Sequence, residues 1–427
     1  MGRITHTVLA AVALTEITCC QGRSASEVVN VPGWPDLSGK FPLSFGVKAG
    51  GMVYASGMQG ADMHTMKPVP GGVKEETTQT LKNLEELLEA AGSSMADVVQ
   101  CSVSLVNISR DFKEMNEAYA AFFPKEPPAR VAVQVAGLAG TASVEIQCNA
   151  ALKGRGRSVV KVPGFPDLAA KGFPLSFATK VDGMVYLSGT QGMDMTKMKL
   201  VEGGVGAETT QALKNLQSVL GAAGSSAGRV VGCSVSLTNM SDFAEMNKAY
   251  QAFWPKDAEI GGLPTRVCVE VAALAGSGKV EIQCNAAGSD VSGAPAVVKV
   301  PGWPEMKGFP FSAAVKAGGI AYISGNQGVD MHTSKLVEGG AGPETTQTLQ
   351  DIKEAVEATG AGLEDVVACE VSLQDMKDFK DVNEAYAKFW PKEPPSRVAV
   401  QVGALARGAA VEIRCAAALP ASMEVVV

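Results

Sequence analysis

The chain has 427 residues, a length at which about two to four domains are expected. Hydrophobic residues make up 46% of the sequence and charged residues 19%, the composition of an ordinary globular protein with enough apolar material for substantial cores. The formal net charge of −7 disfavours a nucleic-acid-binding surface, and there is no run of about 18 uncharged apolar residues that could span a membrane.

The segment before the first repeated unit, positions 1–26, allows three interpretations. Arg3 followed by the apolar run VLAAVAL is compatible with a signal or transit segment, although Glu16 interrupts the run and no small-residue cleavage site follows. Alternatively, Arg3–Cys20 resembles Arg266–Cys284, where an arginine, alternating valines and a loop precede a Glu-Ile-x-Cys strand. Positions 1–26 would then be the remnant tail of a further repeat. An unstructured leader is the third interpretation.

The rest of the chain contains three copies of one unit. The stretch VVNVPGWPDL at Val28 returns as VVKVPGFPDL at Val159 and as VVKVPGWPEM at Val297. The interval between these starting positions has the size of a domain and is too long for a solenoid repeat of about 20 to 50 residues. The predicted domains are residues 27–152, 158–287 and 296–419, joined by short linkers rich in Gly, Ser or Arg.

Each unit is predicted to be an α+β domain. In the first unit the predicted elements are the strand Met52–Ser56, the helix Glu76–Ala91, the strand Val98–Leu105, the helix Asp111–Phe123 and the strands Arg130–Val135 and Val144–Cys148. Gly92 and Pro124 supply the helix ends. The ββαβαββ order predicts helices on one sheet face, and three sheets around a pseudo-threefold axis would cover the other. The chain would then be a monomer with internal threefold symmetry.

Nine cysteines raise the question of a disulfide framework. No CxxC motif is present, and most of the cysteines lie in apolar strand-like runs such as CSVSL and EIQC. We therefore expect reduced thiols inside the cores and a reducing compartment, the cytosol, with organelle targeting left open.

Histidine is almost missing from the sequence, which contains only His6, His64 and His332. The last two are equivalent, but Thr196 takes their place in the second unit. A site present in all three units cannot depend on histidine, so His-based triads and His-rich metal sites are disfavoured. The sequence has no Walker loop and no GxGxxG that opens a helix, so we expect no bound nucleotide.

One arginine and one glutamate in each unit are the strongest candidates for chemistry. The glutamate follows its arginine at the same interval in all three pairs, which are Arg130 and Glu145, Arg266 and Glu281, and Arg397 and Glu412. Because side chains alternate along a strand, Arg130 lies on the face of its strand that points away from the valines. Glu145 lies on the polar face of the next strand, so we expect both side chains to project from the same surface of the sheet. They form either a structural salt bridge or a carboxylate-binding fork beside a carboxylate that orients water.

Several stretches of each unit resemble signature regions of the RidA/YjgF family. They are PPARVAVQV with VEI on the following strand, YASGMQG on an early strand, and DFxxxN on the second helix. The resemblance implies a chorismate-mutase-like fold and a trimer with clefts between neighbouring subunits. It also implies a cofactor-free and metal-free enzyme, a 2-iminobutanoate/2-iminopropanoate deaminase that hydrolyses 2-imino or enamine acids such as 2-aminoacrylate to 2-oxo acids and ammonia.

The same resemblance assigns roles to individual residues. The carboxylate-binding arginines would be Arg130, Arg266 and Arg397, and the water-positioning glutamates Glu145, Glu281 and Glu412. The pocket would be lined by Ser56, Gly57, Ser188, Gly189, Ser324 and Gly325. It would be closed from one helix face by Phe112, Asn116, Phe243, Asn247, Phe379 and Asn383. Each of these phenylalanines could equally be a core residue.

Two departures from the family pattern affect the predicted clefts. Leu43, Leu175 and Phe311 stand where relatives often carry a tyrosine, which removes a pocket hydroxyl. Cys268 keeps a cysteine that relatives often have two positions after the arginine, and we expect its thiol to line one cleft. The second unit is also longer before its arginine, with DAEIGGLP against KEPP in the other units, so the three clefts need not be equally active.

Imine deamination is the predicted function, with a small-molecule substrate and no nucleic-acid or membrane partner. The alternative is a non-catalytic protein that binds small carboxylates or acts like a chaperone, which the lost tyrosine favours modestly. RNA cleavage, proposed for some relatives, is disfavoured by the lack of a histidine pair and by the negative net charge.

Overall fold

The computed structural model describes residues 26–37, 41–305 and 308–420. Within these residues the same succession of elements occurs three times. The interpretations of positions 1–26 concern a segment that, apart from Ser26, lies outside the described residues.

The first unit begins with short strands and ends on a long one. Its elements are the strands Ser26–Val28, Gly46–Ala49, Met52–Ala55 and Met58–Gln59, the small hairpin Ala61–Asp62 with Lys67–Pro68, the helix Val73–Ala91, the strand Val98–Leu105, the helix Ile108–Phe122, and the strands Ala129–Gln134, Gly137–Leu138 and Val144–Ala151.

The other two units repeat this order. The second has strands Ser158–Val159, Ala178–Val181, Met184–Leu187, Thr190–Gln191, Met193–Asp194 and Lys199–Leu200, helix Gly204–Ala222, strand Val230–Leu237, helix Phe243–Phe253, and strands Thr265–Glu270, Ala273–Leu274 and Val280–Ala287. The third has strands Ala296–Val298, Ala314–Ala317, Ile320–Ile323, Asn326–Gln327, Val329–Asp330 and Lys335–Leu336, helix Ala341–Ala358, strand Val366–Leu373, helix Phe379–Tyr386, and strands Ser396–Gln401, Ala404–Leu405 and Val411–Ala418. Short 3₁₀ turns connect several of these elements.

Three strands and two helices of each unit matter for the site. We call Ala129–Gln134, Thr265–Glu270 and Ser396–Gln401 the arginine strands, and Val144–Ala151, Val280–Ala287 and Val411–Ala418 the glutamate strands. The central strands are Val98–Leu105, Val230–Leu237 and Val366–Leu373. The long helix of each unit precedes its central strand, and the short helix follows it.

The predicted helices and strands are confirmed in kind and order. The long helix of the first unit begins at Val73, slightly before the predicted start at Glu76, and ends as predicted at Gly92, which adopts the left-handed conformation with φ 82°. The short helix begins at Ile108 because the side chain of Asn107 accepts a hydrogen bond from the backbone N–H of Arg110 at 3.1 Å.

Each unit forms one mixed sheet. In the first unit the order runs from Ser26–Val28 through Gly46–Ala49 and Met52–Ala55 to the glutamate strand, the central strand and the arginine strand. The central and arginine strands run parallel because the short helix crosses over between them. The other neighbouring pairs of the first sheet are antiparallel.

The three sheets exchange their last strands in a cycle. The arginine strand of the first unit pairs with Ala273–Leu274 of the second, and that of the second pairs with Ala404–Leu405 of the third. The arginine strand of the third unit pairs with Gly137–Leu138 of the first, which closes the cycle. The sequence did not predict these short strands, because their partners belong to a different unit.

Among the described residues, the buried apolar side chains form one core per unit, a core shared by all three units, and a small fifth cluster around Leu405. The helices cover the outer face of each sheet and enclose one core per unit. The inner faces meet in a fourth core with members from all three units, including Tyr54, Tyr186 and Ile320. The three sheets therefore cover one another's inner faces, as predicted. Within the described residues, no helix is both long and apolar enough to cross a membrane.

Six of the cysteines form disulfides, so the expectation of reduced core thiols is wrong for them. The pairs are Cys101–Cys148, Cys233–Cys284 and Cys369–Cys415. In each unit the two cysteines lie directly opposite each other on the central and glutamate strands. Apolar surroundings do not distinguish a buried thiol from a buried disulfide, and the strand register that decides between them is not visible in the sequence. Disulfides are typical of oxidising compartments, so the cysteines no longer support the cytosolic prediction.

Candidate active site

Each arginine strand carries a buried arginine that packs on the short helix of its own unit. Arg130, Arg266 and Arg397 are only 3 to 4% exposed. Their guanidinium carbons lie over the rings of Tyr119, Tyr250 and Tyr386 at 4.9, 5.0 and 5.0 Å. They also lie 6.0, 5.7 and 5.7 Å from the rings of Phe112, Phe243 and Phe379. Cation–π contacts hold each guanidinium against the helix.

The arginine and the glutamate of one unit lie on opposite faces of their sheet. In the strand register Arg130 lies directly beside Cys101, and Cys101 lies directly beside Cys148. The side chains of these three residues therefore share the outer face of the sheet. Glu145 is three positions from Cys148, and an odd separation along a strand places it on the inner face. The prediction that both project from one surface is therefore wrong.

The glutamate that faces each arginine belongs to another unit. Arg130 and Glu281 line one cavity, which we call cleft A, and Arg266 and Glu412 line a second, cleft B. Gly57, which lies against the Glu145 carboxylate, donates its N–H to the Arg397 carbonyl at 3.1 Å. Burial raises the pKa of Glu145 and the Arg397 guanidinium lowers it, and we call their shared site cleft C. Each of the three clefts thus needs residues from two units.

The predicted pocket serines hold the arginine strand across the unit boundary. The Ser188 hydroxyl accepts a hydrogen bond from the backbone N–H of Arg130 at 2.8 Å and donates one to the carbonyl of Ser176 at 2.5 Å. The Ser324 hydroxyl accepts from the backbone N–H of Arg266 at 2.9 Å, and the Ser56 hydroxyl accepts from that of Arg397 at 2.8 Å. These serines are 1 to 3% exposed and hold the arginine strand in place, and Ser324 also lines cleft B as predicted.

The predicted pocket glycines allow the two units to approach closely. In cleft A the Gly189 N–H donates to the Arg130 carbonyl at 3.1 Å. A side-chain carbon at Gly189 would collide with the Glu281 carboxylate and lie 2.9 Å from Cγ2 of Val131. A side-chain carbon at Gly57 would likewise collide with the Glu145 carboxylate, and one at Gly325 would collide with the Glu412 carboxylate. Only glycine fits at these three positions.

Burial raises the pKa of each cleft glutamate. Glu145, Glu281 and Glu412 are 6 to 7% exposed, and desolvation raises the pKa of each to about 7. A glutamine hydrogen bond and the arginine of the other unit both limit the rise. A carboxyl with a pKa of about 7 can both accept and donate a proton near neutral pH.

The glutamines that contact these carboxyls were missed in the sequence. The Nε2 groups of Gln59, Gln191 and Gln327 donate to Glu145, Glu281 and Glu412 at 2.7, 3.4 and 3.1 Å. Each glutamine lies two positions after the pocket glycine, in the repeated S-G-x-Q-G stretch. Strand alternation could have placed it beside that glycine.

The tyrosines under the guanidinium groups were missed as well. Phe112, Asn116 and Tyr119 are spaced by one helical turn each, so all three share one helix face. The same spacing recurs in the other two short helices. Burial raises the pKa of Tyr119, so its hydroxyl stays protonated at neutral pH.

The guanidinium groups are incompletely paired. Nε, Nη1 and Nη2 of Arg397 and Nη1 of Arg130 are buried without a hydrogen-bond partner among the described residues. In cleft B, by contrast, Nη1 of Arg266 donates to Oδ1 of Asn247 at 2.6 Å. Within the same described ranges, Oδ1 of Asn116 and of Asn383 is buried without such a partner. Because a buried charge without partners is costly, these groups are suited to bind an anion.

Clefts A and B differ in volume and lining. The cavity of cleft A has a volume of about 230 Å³, and that of cleft B about 720 Å³. Leu175 lines cleft A and Phe311 lines cleft B, whereas Leu43 lines a neighbouring groove between the first and third units. Cys268 lines cleft B beside Arg266, and burial raises its thiol pKa to about 12. This thiol is therefore not ionised near neutral pH.

Neither described histidine is among the residues that line cleft A or cleft B. His64 contacts the Gly33 carbonyl at 3.3 Å, and His332 contacts Glu354 on the third long helix at 3.3 Å. Both imidazoles are about half exposed. In the part of the chain that the structure describes, no three His, Cys, Asp or Glu side chains are grouped so that they could hold a metal ion.

The family described as Endoribonuclease L-PSP matches residues 37–152, 168–288 and 306–419, which together are most of the sequence. The chain belongs to this family. The match occurs three times, once in each unit, and relatives carry the names RutC and Reactive Intermediate Deaminase A, so the resemblance to the RidA/YjgF family is confirmed.

Three relatives illustrate the similarity. A RutC family protein of Sulfurisphaera tokodaii is 41% identical over 104 residues, which are 24% of this chain and 83% of the relative. The 2-iminobutanoate/2-iminopropanoate deaminase of Mus musculus is 42% identical over 108 residues, which are 25% of this chain and 80% of the relative. The chloroplastic Reactive Intermediate Deaminase A of Arabidopsis thaliana is 40% identical over 126 residues, which are 30% of this chain and 66% of the relative. Each relative matches about one unit.

Proposed function

We propose that the protein hydrolyses reactive 2-imino and enamine acids, such as 2-aminoacrylate and 2-iminobutanoate, to 2-oxo acids and ammonia. One observation carries the proposal: each cleft sets a buried arginine opposite a glutamate of another unit whose pKa is about 7. The arginine supplies the cation for a carboxylate, and the glutamate supplies a group that exchanges protons at neutral pH.

The substrate carboxylate would bind the guanidinium, which places the imine carbon near the glutamate. An enamine acid first takes a proton from solvent at its β-carbon and loses one from nitrogen, which gives the 2-imino acid. In the first step of hydrolysis the glutamate carboxylate takes a proton from water while the water oxygen bonds to the imine carbon. The π pair of the C=N bond moves to nitrogen, which binds a proton from solvent. In the second step the glutamate returns its proton to nitrogen, the C–N bond breaks and ammonia leaves. The remaining hydroxyl loses its proton and becomes the 2-oxo group.

This chemistry makes modest demands on the protein. A 2-imino acid already hydrolyses in water, so holding it and a water molecule in the right geometry can supply the acceleration. The burial of the cleft strengthens the contact between the guanidinium and the carboxylate. No step in this route needs a bound cofactor.

The names of the relatives support the proposal in part. The Mus musculus relative is named for deamination of 2-iminobutanoate and 2-iminopropanoate, which are small imino acids with uncharged side chains. It matches one unit at 42% identity, so the substrate of this three-unit chain is itself part of the proposal.

The test uses 2-aminoacrylate generated in situ from serine by a dehydratase. Pyruvate and ammonia release are followed with the wild type and with the triple variant Arg130→Ala, Arg266→Ala, Arg397→Ala. Loss of the charge-assisted contact should cost about 2 to 4 kcal/mol, roughly a 30-fold to 1000-fold loss in kcat/KM. Arg155→Ala is the matched control, since Arg155 is an exposed linker residue paired with Asp182 at 2.7 Å.

Acceleration by the wild type and by Arg155→Ala, but not by the triple variant, would support deamination at the arginine clefts. No acceleration with several amino-acid-derived imines would contradict it. Equilibrium binding of 2-oxobutanoate that the triple variant loses would then favour the alternative, a protein that only binds small carboxylates.

A further inference from the structure

Among the described residues, cleft B is lined by a second arginine, whereas Arg130 is the one arginine that lines cleft A. Arg407 and Arg266 line the same cavity. The residues equivalent to Arg407 in the other two units are Gly140 and Gly276. Gly276 lines cleft A, so this position belongs to the rim of the cleft in more than one unit.

Arg407 lies at the rim of cleft B because of the strand exchange between units. Ala404–Leu405 of the third unit pairs with the arginine strand of the second, and Arg407 follows shortly after Leu405. Glu412 lies on the next strand of the same unit and faces Arg266. The third unit therefore contributes both a carboxyl and a cation to the cleft of the second.

The backbone conformation of Arg407 is one that glycine normally adopts. Arg407 has a φ of 60°, close to the 75° of Gly140 and the 79° of Gly276. The left-handed conformation is unfavourable for a residue that carries a side chain. The Arg407 side chain is exposed and is not part of the packed core, so core packing does not account for an arginine at this position.

Two phenylalanine rings connect the arginines. Phe311 lies 5.3 Å from the guanidinium carbon of Arg266, and Phe309 lies 5.9 Å from that of Arg407. The two ring centroids are 5.7 Å apart. Among the described residues no carboxylate lies within ion-pair distance of Arg407. The cavity thus has one cation at its base, an aromatic wall, and a second cation at its mouth.

We propose that cleft B binds 2-imino acids that carry a second carboxylate at the end of the side chain. This inference rests on the proposed deamination. The carboxylate beside the imine would bind Arg266, and the distal carboxylate would bind Arg407. Cleft A offers a glycine at the mouth and a wall that includes Met193, Met195 and Met198, which suits uncharged side chains.

The test isolates cleft B by the double variant Arg130→Ala, Arg397→Ala. An amino acid oxidase with catalase generates 2-iminoglutarate from glutamate, or uncharged 2-iminopentanoate from norvaline, and semicarbazide traps the imine that is not hydrolysed. In this background Arg407→Gly should lower the ratio of kcat/KM for 2-iminoglutarate to that for 2-iminopentanoate about five- to tenfold. Glycine is the native residue at the two equivalent positions, so the fold should tolerate this variant. Arg155→Ala should leave the ratio unchanged.

A gain-of-function variant gives a second measurement. Gly276 has the left-handed backbone, and a side-chain carbon there would meet no atom closer than 3.8 Å. In the variant Arg266→Ala, Arg397→Ala, which leaves cleft A, the change Gly276→Arg should raise the same ratio.

Equilibrium binding of 2-oxoglutarate and 2-oxopentanoate separates this inference from the proposed function. If imines are hydrolysed but neither Arg407→Gly nor Gly276→Arg changes the ratio, the second-carboxylate site is wrong and deamination stands. If no imine is hydrolysed, yet Arg407→Gly weakens binding of 2-oxoglutarate and not of 2-oxopentanoate, deamination is wrong and the site stands.

Discussion

The cleft glutamates have a pKa of about 7 because they are buried, and this sets the expected pH dependence. Only the ionised carboxylate can take a proton from water, and it predominates above that pKa. We therefore expect kcat/KM for imine hydrolysis to rise with pH through about 7. The measurement is a profile between about pH 5.5 and 8.5.

A triple Glu→Gln variant at positions 145, 281 and 412 is the control for this profile. It should lower kcat/KM about 100-fold or more and remove the rise near neutral pH. If the variant keeps the same pH-dependent rise, another group controls the rate.

The role of a single residue could be predicted from the sequence only where the pattern of its own strand or helix determines that role. Arg130 was recognisable because it interrupts a strand of buried apolar residues. Its partner Glu281 was not, because the constant interval along the chain pointed to Glu145 on the same unit. That interval carries no information on which face of the sheet each side chain occupies, and the contact joins two units.

At the scale of elements, Gly189 limits how closely the second unit approaches the first arginine strand. In Gly189→Ala the new methyl group would displace the Glu281 carboxylate and push against Val131. We expect the free energy of unfolding to fall by about 1 to 3 kcal/mol. The measurement is denaturant unfolding, combined with activity in the Arg266→Ala, Arg397→Ala background, where cleft A should lose its activity.

Gly221→Ala is the matched control for this glycine. Gly221 lies within the long helix Gly204–Ala222, and a side-chain carbon there would meet no atom within 4 Å. The change should raise the free energy of unfolding by about 0.5 to 1 kcal/mol because alanine favours the helix. Equal effects at the two positions would contradict the steric explanation.

The disulfides between central and glutamate strands should contribute to stability. Each closes a loop with a sequence separation of 46 to 51 residues, for which the chain-entropy account gives about 4 kcal/mol. We expect Cys233→Ala, Cys284→Ala to lower the free energy of unfolding by about 2 to 4 kcal/mol. Cys268→Ala, which introduces the residue found at positions 132 and 399, should change it by less than about 1 kcal/mol.

Thiol titration is the direct test of the three disulfides. Six of the nine cysteines are in disulfides, so at most three thiols should react in denaturant without reductant. Nine reactive thiols would mean that the core pairs are reduced, as the sequence first indicated.

Elements with a strong local pattern could be predicted, and elements defined by a distant partner could not. The long helix was recognisable from the spacing of Leu81, Leu84, Leu87 and Leu88. The strand Gly137–Leu138 is very short and exists only because the third arginine strand binds it. Such a segment has no periodicity of its own that could distinguish it from a loop.

At the scale of the whole molecule, the cyclic exchange leaves each arginine strand paired on both sides. An unpaired strand edge would offer a place for another copy of the chain, and these three edges are occupied within one chain. We therefore expect a monomer of 44.1 kDa by light scattering at micromolar concentration. A mass two or three times larger would contradict this prediction.

The pairing of units also predicts which double variants inactivate one cleft and which inactivate two. Arg130 and Glu281 share cleft A, whereas Glu145 belongs to cleft C. The variant Arg130→Ala, Glu281→Gln should therefore lose about as much total activity as Arg130→Ala alone, since the cleft is already inactive. Arg130→Ala, Glu145→Gln should lose the activity of two clefts. Total kcat/KM for 2-aminoacrylate is the measurement.

These two double variants contain the same kinds of substitution and differ only in which unit supplies the glutamate. Residues that act together in one site are strongly non-additive, whereas residues in separate sites contribute independently. If Arg130→Ala, Glu145→Gln is the pair that loses only one cleft, the arginine and glutamate of one unit act together. The functional site would then lie within each unit, and the cyclic strand exchange would serve stability alone.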